Sequence, residues 1–491
     1  MAARGLLVLA CASAGAEALK ALQLGGAGAA ARLCSTPAAG RTEGGRASYY
    51  WSNKNGDAGG TGFSAHVGPS NVSSGPVWSW KDLTESLVST HPLIDGERNV
   101  YLANRNGAVR KFKMSGETVW QNTDAFGGPV SAVLVGHGAL MDGAVHVGFG
   151  DGSVASIDME SGRTRWKVKA SAGAGPDNWS LMAREGVVVV AGRSEGWKRS
   201  DPDGGGNDQV VALDARDGRT LWTFRPQVPL FSFQGSFADG PPSLVFADLL
   251  GVPHRLALCD GRLLWRNAEG RGNATVSAGG AVVEASGDRV IVAGNDIVAS
   301  GQAPRASVTA YDARSGARLW RHMAELPASA PPAVGSLQGP GGKASVVVAV
   351  GDAPGLPDPS AEQSGRYRDG RAVALASRVY ALDAATGLPT GWDFAPPVYT
   401  KPAASGEQFP YFLCLPQAWS GAAIGGDGAV YLGHMSGRIF ALRDRDGDGA
   451  LRAEQGEVTE YAGGRCYQGA PGLAPGLLVA TPCDGMQVFR A

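Results

Sequence analysis

The stretch Val-Ala-Leu-Asp-Ala-Arg-Asp-Gly-Arg-Thr-Leu-Trp-Thr-Phe, Val211 to Phe224, decides the fold of this 491-residue chain. Its apolar residues alternate up to Asp214, break across Ala215 to Gly218 and resume at Leu221, which reads strand, turn, strand. An Asp before the turn can accept backbone N–H bonds across it, and Gly supplies the positive φ that a short bulged hairpin needs. The same spacing returns at Gly116/Trp120, Gly162/Trp166, Gly261/Trp265 and Gly316/Trp320, and a copy from Gly387 to Trp392 is one residue longer. Asp158, Asp312 and Asp383 stand where Asp214 does. Upstream lie β-branched runs beginning at Val100, Val145, Val187, Val290, Val346 and Val430, and no segment has the period of a long amphipathic helix.

Successive tryptophans are 46, 56, 43, 55 and 72 residues apart. Periods of about 40 to 50 residues with several strands each indicate propeller blades, the longer steps carrying insertions. A lone four-stranded blade cannot cover both faces, so it buries them against neighbours around an axis, and a recurring indole fits as the wedge between blades. Leu477 to Arg490 ends the chain after two strands, and Gly75 to Trp80 offers a tryptophan-bearing strand with nothing before it. Joined, they complete one blade and remove the open edge. With the six tryptophan copies and the blade from Val430 to Tyr461, the expectation is an all-β fold: an eight-bladed β-propeller of four-stranded antiparallel blades, closed by the N- and C-terminal strands.

The segments Ala212 to Trp222, Ala310 to Trp320 and Ala381 to Trp392 resemble the pyrroloquinoline-quinone (PQQ) repeat family, and Tyr49 to Asn71 is similar to the lead-in of such propellers. The resemblance spans residues 48–491 and implies the quinoprotein-like propeller fold. Its members include dehydrogenases and assembly scaffolds of bacterial envelopes, so it does not decide activity.

The expected organisation is a leader at 1–16, a low-complexity linker at 17–47 and the propeller at 48–491. Arg4, the apolar stretch Leu6 to Ala14 and the small residues Ala14 to Ala16 form the parts of a secretory signal, too short to span a bilayer. Residues 20–47 hold a single acid, Glu43, which leaves an organelle transit or bipartite leader as the alternative to secretion. Sequons at Asn71, Asn178 and Asn273 agree with the secretory route. A net charge of −1 without a basic stripe gives nucleic-acid binding no support. Neither a membrane span nor an oligomer is expected. Of six cysteines, Cys11 and Cys34 precede the propeller, Cys259 and Cys414 lie within it, and Cys466 and Cys483 reach the same rim, where a bridge is expected between them.

With strands A to D running outward from the axis, the insertions at 193–207, 295–306 and 352–377 all fall between strands B and C. The connectors at 169–186, 225–243 and 393–420 leave strand D for the next blade, so all six crowd one face. Loops on a rigid scaffold carry binding chemistry. Trp179, Trp197, Lys198, Arg199, Asp201, Arg366, Tyr367, Arg368, Tyr411, Gln417 and Trp419 make an aromatic and polar mixture suited to a protein or glycan partner.

After Leu442 the usual turn is replaced by a loop at 444–455 that matches the first half of an EF-hand. Asp444, Asp446 and Asp448 take positions 1, 3 and 5, Gly449 makes the bend, and Ala450 offers its carbonyl, a donor set for structural Ca²⁺. Position 12 is Gln455 rather than Glu, so Glu454 or Glu457 would have to complete the shell.

Among proteins of the resembled family, PQQ dehydrogenases carry adjacent cysteines, an axial calcium and a catalytic Asp. This chain has no Cys-Cys pair and no Cys-x-x-Cys-His. His66, His91, His137, His146, His254, His322 and His434 lack metal-ligand spacing and read as structural or surface residues. The expectation is a non-catalytic binding or scaffolding propeller without PQQ, with a quinone-dependent dehydrogenase acting on alcohols or sugars as the alternative. A sugar-active enzyme using a central-channel carboxylate is a third reading.

Overall fold

The computed structural model describes residues 49–82, 90–104, 107–126, 136–174, 181–197, 206–230, 233–269, 280–296, 305–328, 330–352, 367–368, 371–372, 375–399 and 418–491. The leader and linker expected at 1–47 lie outside them. Eight four-stranded antiparallel sheets follow one another along the chain. Blade 1 comprises Leu93–Ile94, Val100–Ala103, Val109–Phe112 and Thr118–Asn122 as strands A to D. Blades 2 to 7 have their D strands at Thr164–Lys169, Thr220–Phe224, Leu263–Arg266, Arg318–Met323, Pro389–Phe394 and Val458–Ala462. Blade 8 joins Gly472–Ala474, Leu477–Ala480 and Gly485–Arg490 to Trp78–Lys81, which pairs Trp78 with Val488 and Lys81 with Gly485. The ring closes as expected. Neighbouring A strands touch and so line the axis.

Each tryptophan wedge has a definite seat. The indole of Trp120 lies on Gly162 of the next blade, where an added Cβ would stand 2.6 Å from it. Trp166, Trp222, Trp265 and Trp320 lie in the same way on Gly218, Gly261, Gly316 and Gly387. Each Nε1–H also donates across the seam: Trp120 to Met159, Trp166 to Ala215, Trp222 to Leu258, Trp265 to Ala313 and Trp320 to Ala384, at 2.8–3.1 Å. The seat glycines have φ between 70° and 75°, so glycine there serves both the turn and the close approach. The preceding Asp caps the turn as expected: Asp312 Oδ1 accepts the Ser315 N–H at 2.7 Å, and Asp383 Oδ1 that of Thr386 at 2.9 Å.

Two seats break the pattern. Blade 1 has a tighter turn, with Gly116 N–H bonded to Lys113 O, so Trp78 stacks on Gly116 but its Nε1 finds no partner. Trp392 faces blade 7, whose acidic loop has replaced the turn, and its buried Nε1 is also unpartnered. That loop docks instead through backbone, Asp393 N–H donating to Gly449 O at 3.0 Å.

The lead-in forms no blade. From Trp51 to Val67 it circles the axis as a belt and meets all eight A strands or their turns in order. Trp51 exchanges two backbone bonds with Ile94. Leu140 N–H then donates to Ser52 O, and Asn53 makes paired bonds with the Ala183 backbone. Phe237, Val283 and Val334 donate to Ala58, Gly59 and Thr61. Ile424 bonds both Gly62 and Ser64, and Gly476 donates to Val67. An inner strand leaves one edge of N–H and C=O groups facing the axis, and the belt satisfies them. Its glycines permit the approach: a Cβ on Gly59 would lie 2.8 Å from Val283 O, and on Gly62, 2.8 Å from Ala422 O.

The described ends of the B–C insertions leave strand B and enter strand C of blades 3, 5 and 6, and in blade 5 the expected range 295–306 is shortened because strand B runs to Asp296 and strand C begins at Arg305. The connectors are shorter than the ranges read from sequence, because the inner strands Leu181–Arg184 and Ser236–Ala238 lie inside the two first ranges.

Candidate functional site

The insertion-rich face is described only in part. Trp179, Lys198, Arg199, Asp201, Arg366, Tyr411 and Gln417 lie outside the described residues. Trp197 is half-buried and donates its indole N–H to Gly206 O at 3.1 Å, fastening the blade 3 insertion to itself. Tyr367 and Arg368 form a short hairpin with Arg371 and Ala372 inside the blade 6 insertion, an element the sequence did not reveal. Trp419 corrects the expectation of a surface aromatic. It is 2% exposed, packed 4.4 Å from the His434 ring and 5.6 Å from Phe440, and belongs to the core between blades 6 and 7.

Beneath this face, where the chain enters the A strands of blades 1 and 2, His91 and His137 stack edge to face with centroids 4.3 Å apart. The His91 backbone N–H donates to His137 Nδ1 at 2.9 Å, which places the proton of a neutral His137 on Nε2. His91 Nδ1 is buried without a hydrogen-bond partner. Burial holds both imidazoles well below the usual histidine range, helped at His91 by the ammonium of Lys54 on the belt and at His137 by His91 and then Lys54. No spacing motif announces this pair, because 46 residues separate two side chains that only the ring brings together.

On the opposite face the belt floors a cavity of about 700 Å³ walled by the A–B turns of blades 2 to 5. Asp57, Asp142, Glu185, Asp239 and Glu284 line it, against one lining cation, Arg184, which pairs with Glu185 at 3.2 Å and Asp239 at 2.5 Å. Asp142-Gly143 and Glu185-Gly186 are two-residue turns with φ positive at both positions. Asp57 is open to solvent yet enclosed by cavity walls, and this desolvation raises its carboxyl above the usual range despite the Thr61 N–H and hydroxyl that it accepts. The recurring acidic residue before Gly at 143, 186 and 240 was the signal available in the sequence.

The acidic loop of blade 7 occupies the same face. Asp444, Asp446 and Glu457 bring carboxylate oxygens within 4.8 Å of one another. Asp444 tightens the bend, its oxygens accepting the Gly447 N–H at 2.7 Å and the Gly449 N–H at 3.0 Å. Glu457 is 1% exposed, covered just below the surface by the loop itself, and accepts the Arg445 and Arg452 N–H groups at 2.8 and 3.0 Å. The first of these bonds, above all, holds its pKa below the usual value. Two expected ligands stand apart: Glu454 is exposed on a short 3₁₀ turn, and Asp448 is held by Arg452 at 2.6 Å. The sequence left Glu454 and Glu457 open, and the fold brings in Glu457, two positions beyond the EF-hand's twelfth.

Cys466 and Cys483 do share one rim, but their sulfurs are 3.9 Å apart. An S–S bond is about 2.05 Å, so the expected bridge between them is not formed. Cys483 is disulfide-bonded elsewhere.

A family model described as the outer membrane protein assembly factor BamB, of PQQ_2 type, matches residues 70–197, 105–389 and 206–462, which together exceed half the chain. The chain belongs to this PQQ_2 family. No curated protein matches the chain. Among solved structures, BamB from Moraxella catarrhalis is 16% identical, covering 85% of this chain and 99% of its own, with a TM-score of 0.51. Quinohemoprotein alcohol dehydrogenase ADHIIG from Pseudomonas putida HK5 is 13% identical over 90% of this chain and 80% of its own, with a TM-score of 0.55. A europium-containing methanol dehydrogenase is 14% identical over 90% and 91%, with a TM-score of 0.54. At such identities these likenesses establish the PQQ_2 propeller fold and not an activity. No helix among the described residues is long and apolar enough to cross a membrane.

Proposed function

We propose that this PQQ_2 propeller is a non-catalytic binding or scaffolding protein of the secretory route that takes a protein or glycan partner on its insertion-rich face. The observation that carries the reading is the belt: the axis, where a propeller can house a reacting small molecule, is crossed by hydrogen-bonded backbone from Trp51 to Val67, which leaves a cavity at one end whose lining is acidic. The family's assembly-factor description supports the same reading. Replacing Arg366, Tyr367 and Arg368 together by alanine is expected to weaken capture of the native partner at least tenfold while leaving the unfolding midpoint unchanged. Full retention of capture would remove this face from the proposal.

One observation favours the second reading, a quinone-dependent dehydrogenase. Lys54 with His91 and His137 would offer an anionic quinone cofactor a cation and two ring faces, whereas the five carboxylates of the opposite cavity would repel its carboxylates. The purified protein supplied with PQQ is expected to reduce no dye with alcohols or sugars, and dye reduction that depends on Lys54 would reverse the choice.

The blade 7 loop is proposed to hold a structural Ca²⁺ through Asp444, Asp446, Glu457 and the Ala450 carbonyl, with Asp448 joining once Arg452 swings away. Hard oxygens around a tight bend are the donors this ion takes. At one hundred times its dissociation constant, calcium would stabilise the fold by about 2.7 kcal/mol. Asp446→Ala is expected to leave the midpoint in chelator unchanged and to abolish the calcium-dependent rise. A midpoint indifferent to calcium in the parent protein would refute the clip.

A further inference from the structure

The turn that carries the chain from the belt into the closing strand of blade 8 holds a motif that neither the fold nor the partner face uses. Asn71-Val72-Ser73 lies between Val67 and Trp78, and of the three sequons it is the one within the described residues, Asn178 and Asn273 falling outside them. The turn is pinned on both sides. Pro69 O accepts the Tyr431 hydroxyl at 3.0 Å, the Val72 N–H donates to Thr459 Oγ1 at 3.2 Å, and the Gly75 N–H closes back on Val72 O at 3.1 Å. Val72 is 0% exposed and packs in the core shared by blades 1, 7 and 8, whereas Asn71 and Ser73 on either side of it are exposed.

The two exposed side chains are bonded to each other. Asn71 Oδ1 accepts the Ser73 N–H at 2.8 Å and the Ser73 hydroxyl at 2.7 Å, an Asx turn closed a second time by the side chain. The carboxamide nitrogen has no hydrogen-bond partner among the described residues. A glycan is a bulky, solvated substituent on that nitrogen, so a buried turn would have no room for it and a tied nitrogen would have to give up a bond. Neither obstacle exists at Asn71. Thr459 stands near the start of strand D of blade 7, and Gly476, whose N–H holds Val67, turns between strands A and B of blade 8. Asn71 therefore lies on the face opposite the insertions.

We propose that Asn71 is an acceptor for an N-linked glycan, which would leave the insertion-rich face open to its partner. The inference rests on the secretory-route reading above, because the donor, an oligosaccharide joined through diphosphate to a polyprenol, and its membrane-bound transferase are met on that route. In the transfer Nδ2 bonds to C1 of the donor's first sugar and gives up one proton to a base of the transferase. The C1–O bond to the diphosphate breaks, and the polyprenyl diphosphate leaves with the bonding electrons. The order of synthesis favours the reaction: Trp78 has no Val488 to pair with until the last strand is made, so the nascent chain presents Asn71 before its turn is seated.

The test translates the full chain into endoplasmic-reticulum microsomes, once with its own leader and once with residues 1–16 replaced by a signal of established cleavage. Glycosidase release in heavy-oxygen water then leaves a labelled aspartate at position 71 only where a glycan stood, which mass spectrometry reads. Most copies of the Asn71 peptide are expected to carry the label, Ser73→Thr to keep it and Ser73→Ala to lose it, while Asn71→Gln is expected to lower the mass of the intact chain by one glycan. An unlabelled Asn71 behind the replaced signal, in microsomes that modify a control glycoprotein, overturns the proposal. Label that survives Ser73→Ala arises from spontaneous deamidation and overturns it too. Label behind the replaced signal but not behind the native leader upholds the acceptor and overturns the secretory reading instead.

Discussion

Trp51→Ala should cost about 3–5 kcal/mol, the range for emptying a fully buried large aromatic site, and Gly62→Val about 2–5 kcal/mol for forcing a β-branched residue into a left-handed and crowded position. Trp51 is 0% exposed and packs in one core with Ile94 of blade 1, Tyr431 of blade 7 and Leu473 of blade 8. Gly62 has φ +67°, and an added Cβ would stand 2.8 Å from Ala422 O and 2.9 Å from the Ala333 Cβ. Both residues belong to the belt, and neither lies in a blade. If the belt were a passive lead-in, both variants would unfold at the denaturant midpoint of the parent protein, and chemical denaturation decides the matter.

Acid should destabilise the protein well before its carboxylates are protonated. Burial lowers the pKa of His146 and of His434 to about 3 and that of His254 to about 4, and holds His91 well below the usual range. Each of these four has a native pKa beneath its unfolded value near 6.5, so the unfolded chain binds the extra protons. The stability contributed by the neutral rings is therefore complete above about pH 7 and is lost progressively as pH falls from 6.5 toward 4. Four such protons give a slope of about 5.5 kcal/mol per pH unit in the middle of that window, and His137, held low in the same way, adds to it. His146, whose two ring nitrogens lack partners, is the cleanest probe. His146→Leu should flatten the dependence by about 1.4 kcal/mol per pH unit. Below pH 4 a second loss sets in as the turn carboxylates Asp158, Asp214, Asp312 and Asp383, all held low by hydrogen bonds from their own turns, take up protons. Denaturant midpoints that stay level between pH 7 and 5 would contradict this account.

The blade count and the ring closure were legible because both are written locally. The Gly-x-x-x-Trp hairpin occupies adjacent residues, and the missing strand of blade 8 shows as a remainder at both ends of the chain. The sites were less legible because they are written across blades. Asp142, Glu185, Asp239 and Glu284 are ordinary turn residues one at a time and become a cavity wall only when four turns converge. Trp419 looked available because it falls in a long connector, but it is the last stretch before strand A and packs against His434 and Phe440. The acidic loop lay between these cases: its first three aspartates were readable from local spacing, while Glu457 is recruited by the short 3₁₀ turn at Ala453–Gln455 and the Gly456 turn that follow.

The pairing of Trp78 with Val488 joins residues 410 positions apart. While the ribosome is still adding blade 8, the segment from Trp51 to Trp80 has its first partners waiting in blades 1 to 3 and its last ones not yet made. Pairings so remote in the chain form slowly and leave sticky surface uncovered meanwhile. Production of this protein should thus be limited by the time its front end waits for its tail, and nascent chains arrested anywhere before residue 485 should depend on chaperones to stay in solution.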